Sequence, residues 1–167
     1  LARRLEQRDD PLAELPTSTD ERYLARQVVL VGYGRVGRRV ASVLAAHNIP
    51  LVVAEQNREL VEKLRAQGMA AVFGDAVEPA VLIQAHIARA HMLVIATPDT
   101  LNVQQIIATA RLLNPGIETV VRSHGEEEAV RLEKECGSTV FMGEEALAQA
   151  MAGHVLARAA ARGGRGT

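Results

Sequence analysis

The sequence is poor in the residue types that mark several classes of protein. Its single cysteine, Cys136, cannot form an internal disulfide, so nothing indicates an oxidising compartment. Two phenylalanines, two tyrosines and no tryptophan leave little surface on which bases could stack. The net charge of −1 gives no electrostatic reason to bind a polyanion. The sequence therefore predicts no nucleic-acid partner.

Long apolar runs and catalytic patterns are missing as well. No window approaches ~18–20 uninterrupted apolar residues, so we expect that the chain does not span a membrane by itself. Its five histidines show no metal spacing, and no cysteine or carboxylate cluster joins them, which predicts no metal. A serine nucleophile elbow, an acid/base partner and a substrate lobe are all absent, which predicts a protein that is not an enzyme and has no catalytic residues.

What the sequence does contain is a glycine fingerprint that directly follows the apolar run Val28–Val31 and directly precedes a helical pattern. The fingerprint G-x-G-x-x-G consists of Gly32, Tyr33, Gly34, Arg35, Val36 and Gly37. In this context it predicts a dinucleotide site. Gly32 permits the sharp turn, Gly34 lets the backbone approach a pyrophosphate, and Gly37 lets the helix pack closely.

A carboxylate is expected at the ribose of the nucleotide. The second apolar run, Leu51–Ala54, leads to Glu55, 18 residues after Gly37, which is close to the usual position of this acid. A carboxylate there would repel a 2′-phosphate, so NAD or a plain adenosine nucleotide is favoured over NADP. Arg58 could neutralise such a phosphate, stack on adenine or lie on a helix surface, and the sequence leaves these alternatives open.

Strand-like and helical patterns alternate along the chain, which predicts a Rossmann-like α/β fold. Strands are predicted at Val28–Val31, Leu51–Ala54, Ala70–Phe73, Met92–Ala96, Ile117–Val121 and Thr139–Met142. Helices are predicted at about residues 35–47, 57–67, 78–86, 99–113, 125–136 and 143–161. Their arrangement should be a parallel sheet of order 3-2-1-4-5-6 in three α/β/α layers, with ligands at the carboxyl ends of strands 1 and 4.

Further candidate residues follow the other strands. These are Gly74, Asp75, Ala76, Thr97, Asp99, Asn102, Arg122 and His124. Asp75 could contact adenine or cap the next helix, and Thr97 or Asp99 could equally be an N-cap. Arg35 could contact phosphate oxygens or be a solvated residue of the first helical turn.

The sequence resembles the TrkA-N, or RCK-N (regulator of potassium conductance), domains. The resemblance is carried by Val29–Gly37, Phe73–Ala76, Ala96-Thr97, Asn102 and Val121-Arg122. It covers roughly residues 25–153 and is closest to the cytoplasmic C-terminal domain of Kef-type, YbaL-like monovalent cation:proton antiporters. One departure is Val121-Arg122-Ser123-His124, which lacks the second arginine that some Kef members use for glutathione regulation.

This resemblance implies a regulatory domain on the cytoplasmic face of the bacterial inner membrane. It would belong to the same polypeptide as a transmembrane potassium (monovalent cation):proton antiporter, form a homodimer, and bind NAD(H), AMP or a related adenine nucleotide. By position, residues 32–37 would hold the phosphates. Glu55, with Gln56 beside it, would bind the ribose. Asp75 and Ala76 would lie by the adenine, Thr97 would close the site, and Arg122 would be the basic residue after strand 5.

The implied organisation has four parts. Residues 1–24 would be a linker from an upstream membrane domain. Residues 25–142 would be the nucleotide-binding domain, and the folded part of the chain would begin near Tyr23. Residues 143–162 would be a C-terminal helix whose apolar face, with Leu147 and Met151, contacts a partner subunit or else covers the sheet. Residues 163–167 would be a disordered tail. The main alternative is the cofactor-binding half of an NAD-dependent oxidoreductase, and another is an interaction module of a multi-subunit transporter.

Overall fold

The computed structural model describes residues 10–98 and 101–164, which form one parallel sheet flanked by helices. Its strands are β1 (Val28–Val31), β2 (Leu51–Glu55), β3 (Ala70–Phe73), β4 (Met92–Ile95), β5 (Glu118–Ser123) and β6 (Thr139–Met142). Its α-helices are α1 (Arg35–Ala46), α2 (Arg58–Ala66), α3 (Pro79–Gln84), α4 (Val103–Leu113), α5 (Glu126–Cys136) and α6 (Gly143–Gly163). Three 3-10 turns lie at Pro11–Ala13, Glu21–Tyr23 and Ile87–Arg89.

The sheet has the predicted order, β3-β2-β1-β4-β5-β6, and all its strands are parallel. The chain runs outward from β1 to β3, returns to β4 beside β1, and then runs outward to β6 on the other side. Connections that leave β1 and β4 therefore pass to opposite faces of the sheet, and a crevice opens between them. The Rossmann-like α/β prediction is confirmed.

The strands are nearly continuous apolar runs because helices cover both faces of the sheet over much of its area. All four residues of β1 are buried, and so are the first four of β2. Val29 and Val52 belong to the core cluster on one face, whereas Leu30 and Val53 belong to the cluster on the other. This two-sided burial fixes the strand ends on which the site is built.

The N-terminal segment differs from the prediction that the folded domain begins near Tyr23. Leu12 is only 8% exposed and belongs to the core, and Leu15 packs against the core on the opposite face. Asp10–Leu15, named here the N-terminal strap, is therefore packed against the domain. Residues 1–9 of the predicted linker lie outside the described residues.

Other boundaries shift by a few residues. Strand β5 continues to Ser123 because Arg122 and Ser123 pair with Phe141 and Met142 of β6. Helix α4 begins at Val103 rather than at residue 99, which lies outside the described residues together with residue 100. Helix α6 continues to Gly163, so the predicted tail of residues 163–167 was wrong at its first residue, and residues 165–167 are not described.

Helix α6 covers little of the sheet. None of its described residues is buried, and Leu147, Met151, Val155 and Leu156 are each more than 60% exposed. The alternative that its apolar face covers the sheet of its own chain is therefore contradicted. No helix within residues 10–98 and 101–164 has both the length and the apolarity needed to cross a bilayer.

Candidate functional site

The loop after β1 turns sharply because Gly32 adopts a conformation that other residues rarely reach. Its φ is +93°, and its N–H donates to the Ala54 carbonyl at 3.0 Å, which extends the β1–β2 ladder by one residue. A Cβ at Gly32 would lie 2.9 Å from the Thr97 backbone nitrogen, so neither the conformation nor the space suits a side chain. The turn thus brings the loop after β1 against the loop after β4.

Helix α1 begins just after this turn, and the end that faces the loop is suited to an anion. Gly34 is the N-cap, no side chain caps the first N–H groups, and the first turn holds no acidic residue. The helix instead begins with Arg35, which is exposed and makes no ion pair within the described residues. Unpaired N–H donors and the positive end of the helix dipole both favour a negative charge here.

Gly34 and Gly37 are glycines for different reasons. A Cβ on Gly34 would meet no atom within 4 Å, so the space in front of it is open. A Cβ on Gly37 would overlap the carbonyl oxygen of Gly32, and this backbone atom has little freedom to move away. Gly34 therefore leaves room for a ligand, whereas Gly37 lets α1 pack against the loop.

Glu55 joins the fingerprint loop to the start of α2. Its Oε1 accepts a hydrogen bond from the Tyr33 N–H at 3.0 Å, and its Oε2 accepts one from the Asn57 N–H at 2.7 Å. The two bonds hold the half-buried carboxylate at the carboxyl end of β2, and each of its oxygens retains a further lone pair. The remaining lone pairs could accept hydrogen bonds from ribose hydroxyl groups, and the placement of Glu55 at a ribose stays a prediction.

A cleft of about 220 Å³ opens at the carboxyl ends of the strands, between β1 and β4 on one side and β2 and β3 on the other. The predicted site residues that line it are Gly32, Glu55, Gln56, Asp75, Ala76 and Thr97. Asn102, which caps α4 without a side-chain hydrogen bond, also lines it. The remaining residues of the fingerprint, Tyr33, Gly34, Arg35, Val36 and Gly37, do not line this cleft.

Arg122 is not brought to the cleft. It lies inside β5 and not after it, because the pairing of β5 with β6 continues past it. With Val36 and Phe141 it lines a separate, largely apolar groove of about 460 Å³ along the sheet beside α1 and the start of α6. The structure thus separates Arg122 from the candidate residues that line the cleft.

Asp75 has a local partner in the turn after β3. Its Oδ1 accepts a hydrogen bond from the Val77 N–H at 3.0 Å, so the side chain stabilises the turn that leads into α3. The N-cap of α3 is Glu78, whose side chain makes no capping bond. Asp75 still lines the cleft, so its turn-forming role and its proposed place beside the adenine are compatible.

The structure adds a second cavity that the sequence did not reveal. It measures about 330 Å³ and shares Gln56, Gly74 and Asp75 with the cleft. The strap residues Asp10, Ala13 and Glu14 form its outer side. The strap contains the 3-10 turn Pro11–Ala13, and the sequence does indicate this turn, because Asp10 followed by Pro11 is a typical start of a helical turn. No local sequence pattern indicates which surface of the domain the turn packs against.

Arg58 is an ion-pair partner of Asp10. The two side chains form a salt bridge, and the Arg58 guanidinium lies 5.6 Å from the centre of the Phe73 ring. The hydrogen bond from Arg58 holds the pKa of the Asp10 carboxyl below its usual value, against a smaller opposing effect of burial. The charge of Arg58 is therefore balanced within the domain.

Known proteins of similar sequence identify the family. The family model of the TrkA-N domain matches residues 28–143, which include the six strands, the fingerprint loop and Glu55. The chain belongs to the TrkA-N domain family. Among the described residues of this TrkA-N domain, no group of three or more His, Cys, Asp or Glu side chains could hold a metal ion.

One similar protein is YbaL of Escherichia coli (strain K12), which bears the name of a cation/proton antiporter. This TrkA-N domain is 37% identical to it over 128 residues, which are 77% of the chain and 23% of YbaL. The crystal structure of the TrkA-N domain of the inner membrane protein YbaL matches with a TM-score of 0.72 and 38% identity, and the match covers 76% of this chain and 94% of that one. The chain spans less than a quarter of the length of the curated relatives it matches.

Two more distant structures share the fold. The C-terminal domain of Kef from Shewanella denitrificans, in an AMP-bound form, matches with a TM-score of 0.65 and 21% identity over 78% of this chain and 80% of that one. The GsuK channel bound to NAD matches with a TM-score of 0.63 and 22% identity over 84% of this chain and 24% of that one.

Proposed function

We propose that this TrkA-N domain is a nucleotide-sensing regulatory domain of a monovalent cation:proton antiporter, and that it gates transport through bound NAD(H) or AMP. The observation that carries the proposal is the junction of an open, uncapped α1 N-terminus at Gly34 with the fixed carboxylate of Glu55. The two features suit the phosphate and ribose of one nucleotide. The identity to YbaL and the nucleotides named for the Kef and GsuK structures support the same reading.

Regulation requires that the nucleotide bind two states of the transporter with different affinity, and such coupling is typically ~1–3 kcal/mol. The cleft lies between elements that leave the sheet on opposite faces, so a ligand there contacts the loops after β1, β2, β3 and β4 together. A change in their relative position is the kind of difference that a tethered membrane domain can detect. Because the N-terminal strap packs against the domain, the part of residues 1–24 that precedes the strap would connect the two domains at the cytoplasmic face of the membrane.

We further propose that two copies associate through α6. Within the described residues, Leu147, Met151 and Val155 on this face are each more than 60% exposed. An apolar stripe of this kind is typical of an interface between subunits. Sedimentation velocity tests it, because a chain that stays monomeric at micromolar concentration would contradict the dimer.

The sensing part of the proposal is tested by calorimetry with NADH, NADPH and AMP. We expect NADH and AMP to bind more tightly than NADPH, because Glu55 repels a 2′-phosphate and Arg58 is already paired with Asp10. Glu55→Gln should weaken NADH binding about ten- to hundredfold, since charged hydrogen bonds contribute ~1.5–3 kcal/mol each. It should also reduce the difference in affinity between NADH and NADPH.

Glu133→Gln is the matched control, because Glu133 lies on the exposed surface of α5 and lines neither the cleft nor the second cavity, so this substitution should leave all three affinities unchanged. If NADPH binds the wild-type chain as well as NADH does, the assignment of Glu55 is wrong. Steady NADH oxidation with a hydroxy acid, aldehyde or quinone would instead favour the oxidoreductase alternative.

A further inference from the structure

The N-terminal strap straddles the outer edge of the sheet. Strand β3 is the edge strand, and the strap packs against it and against α2. Leu12 inserts into the core cluster on the α2 side, whereas Leu15 packs against the cluster on the opposite face. The strap therefore packs against both faces of the sheet at the edge strand β3, next to the carboxyl ends of the strands, where the cleft opens.

Arg65 of α2 attaches the strap through its guanidinium. Its Nε donates to the carbonyl oxygen of Ala71 in β3 at 2.8 Å, its Nη1 to that of Pro11 at 2.9 Å, and its Nη2 to that of Leu12 at 3.1 Å. Nη2 also donates to the carbonyl oxygen of Glu14. One side chain thus bridges the edge strand and three strap carbonyls, which the forked geometry of arginine permits and a lysine ammonium would not reproduce.

A second attachment lies at the beginning of the strap. Asp10 accepts a hydrogen bond from the Leu12 N–H through Oδ1 at 3.0 Å, and its Oδ2 pairs with Arg58. The Arg58 side chain in turn lies against the Phe73 ring at the end of β3. The strap is therefore fixed to both ends of α2, at Arg58 and at Arg65.

The position of the strap makes it one wall of the second cavity. Asp10, Ala13 and Glu14 form the outer side, and Phe73 with Val81 forms part of the inner side. This cavity shares Gln56, Gly74 and Asp75 with the cleft, so the two lie side by side. A nucleotide with its phosphates at α1 and its ribose at Glu55 would extend its base into this space.

The lining of the cavity matches a purine that carries an amino group. Its floor is partly apolar, with Phe73, Ala80 and Val81, and suits a flat ring. The residues around it also include four that carry carboxylates, Asp10, Glu14, Asp75 and Glu78. Carboxylates accept hydrogen bonds from an amino group and repel phosphate, so the base end and the phosphate end of the site are chemically distinct.

We propose that the N-terminal strap forms the outer wall of the base-binding end of the nucleotide site, and that Arg65 is the positioning residue that holds it there. This inference rests on the proposed nucleotide-sensing function. The base and the strap share one cavity, so each stabilises the other, and the coupling is reciprocal. If residues 1–24 form the linker to a membrane domain, nucleotide binding would hold the strap, which is part of that linker, more firmly against the nucleotide-binding domain.

Hydrogen exchange of the wild-type chain is the first test and needs no variant. With saturating AMP, we expect the amides of Leu12 and Ala13 to exchange about tenfold more slowly, a value within the usual range of coupling between sites. AMP that binds without slowing these amides would overturn the proposal.

The second test separates the base from the rest of the ligand. Calorimetry would compare AMP with ribose 5-phosphate, which lacks the base, for wild type, Arg65→Gln and the control Lys63→Gln on the exposed face of α2. Arg65→Gln should weaken AMP about tenfold and leave ribose 5-phosphate within about twofold, whereas Lys63→Gln should change neither.

The outcomes distinguish this inference from the proposed function. Equal AMP affinity in Arg65→Gln and wild type would mean that the strap only covers the sheet edge, and it would overturn this inference alone. No binding of AMP or NADH to the wild-type chain would overturn both. If Arg65→Gln does not fold, the exchange of Leu12 and Ala13 in the wild type still decides the question.

Discussion

Replacing Gly34 with alanine is expected to weaken AMP and NADH binding by about a hundredfold or more while the domain stays folded. The added Cβ meets no protein atom within 4 Å, so it occupies the open space in front of the α1 N-terminus. A phosphate held away from these N–H groups loses charged hydrogen bonds of ~1.5–3 kcal/mol each, and the loss of two accounts for the expected factor.

The stability of the Gly34→Ala chain should stay within about 1 kcal/mol of wild type. Alanine is a poorer N-cap than glycine, but it also lowers the conformational entropy of the unfolded chain, and these effects oppose each other. Gly116→Ala is the matched control, because Gly116 is exposed in the turn before β5 and its added Cβ also meets no atom within 4 Å. Unchanged nucleotide affinity in Gly34→Ala would contradict the phosphate assignment.

Gly37→Ala is expected to have the opposite profile, with a large loss of stability. The added Cβ would overlap the carbonyl oxygen of Gly32, so α1 must shift away from the loop and the adjoining core. Overpacking typically costs 1–3 kcal/mol, and a clash with backbone should cost about 3 kcal/mol or more. For a chain of this size, that corresponds to a melting temperature lower by roughly 6–12 °C.

Urea or thermal unfolding of Gly37→Ala beside Gly34→Ala measures the difference directly. Gly34 is the N-cap, whereas Gly37 lies inside α1, where alanine has a higher helix propensity than glycine by up to ~1 kcal/mol. This gain opposes the clash at Gly37, so the measured loss of stability is a lower bound on the cost of the clash. Equal stability of the two variants would show that the contact between α1 and the loop is looser than the structure indicates.

The sequence predicted the sheet and the fingerprint loop because both depend on local patterns. Alternating apolar runs and helical periods indicate the parallel sheet, and the spacing from Gly37 to Glu55 places the carboxylate beside the loop. The structure has both where the sequence places them. The roles of Gly34 and Gly37 also differ as the fingerprint predicts, one open to solvent and the other packed.

The packing of the strap, the position of Arg122 and the surface that covers the apolar face of α6 could not be predicted, because they depend on contacts between distant parts of the chain. Arg65 binds carbonyls of residues more than 50 positions earlier, and no local pattern indicates that pairing. Arg122 lies inside β5 because β6 pairs with the end of that strand. The periodicity of α6 indicates an apolar face, but not which surface covers it.

Transport by the full-length protein in vesicles tests the central claim, nucleotide gating, most directly. Cation-coupled proton flux would be measured with and without NADH and AMP, for wild type, Gly34→Ala and the control Gly116→Ala. The account predicts that nucleotide changes the flux of wild type and Gly116→Ala, in either direction, and leaves that of Gly34→Ala unchanged. Identical flux in every condition, with nucleotide binding to the wild type confirmed by calorimetry, would contradict it.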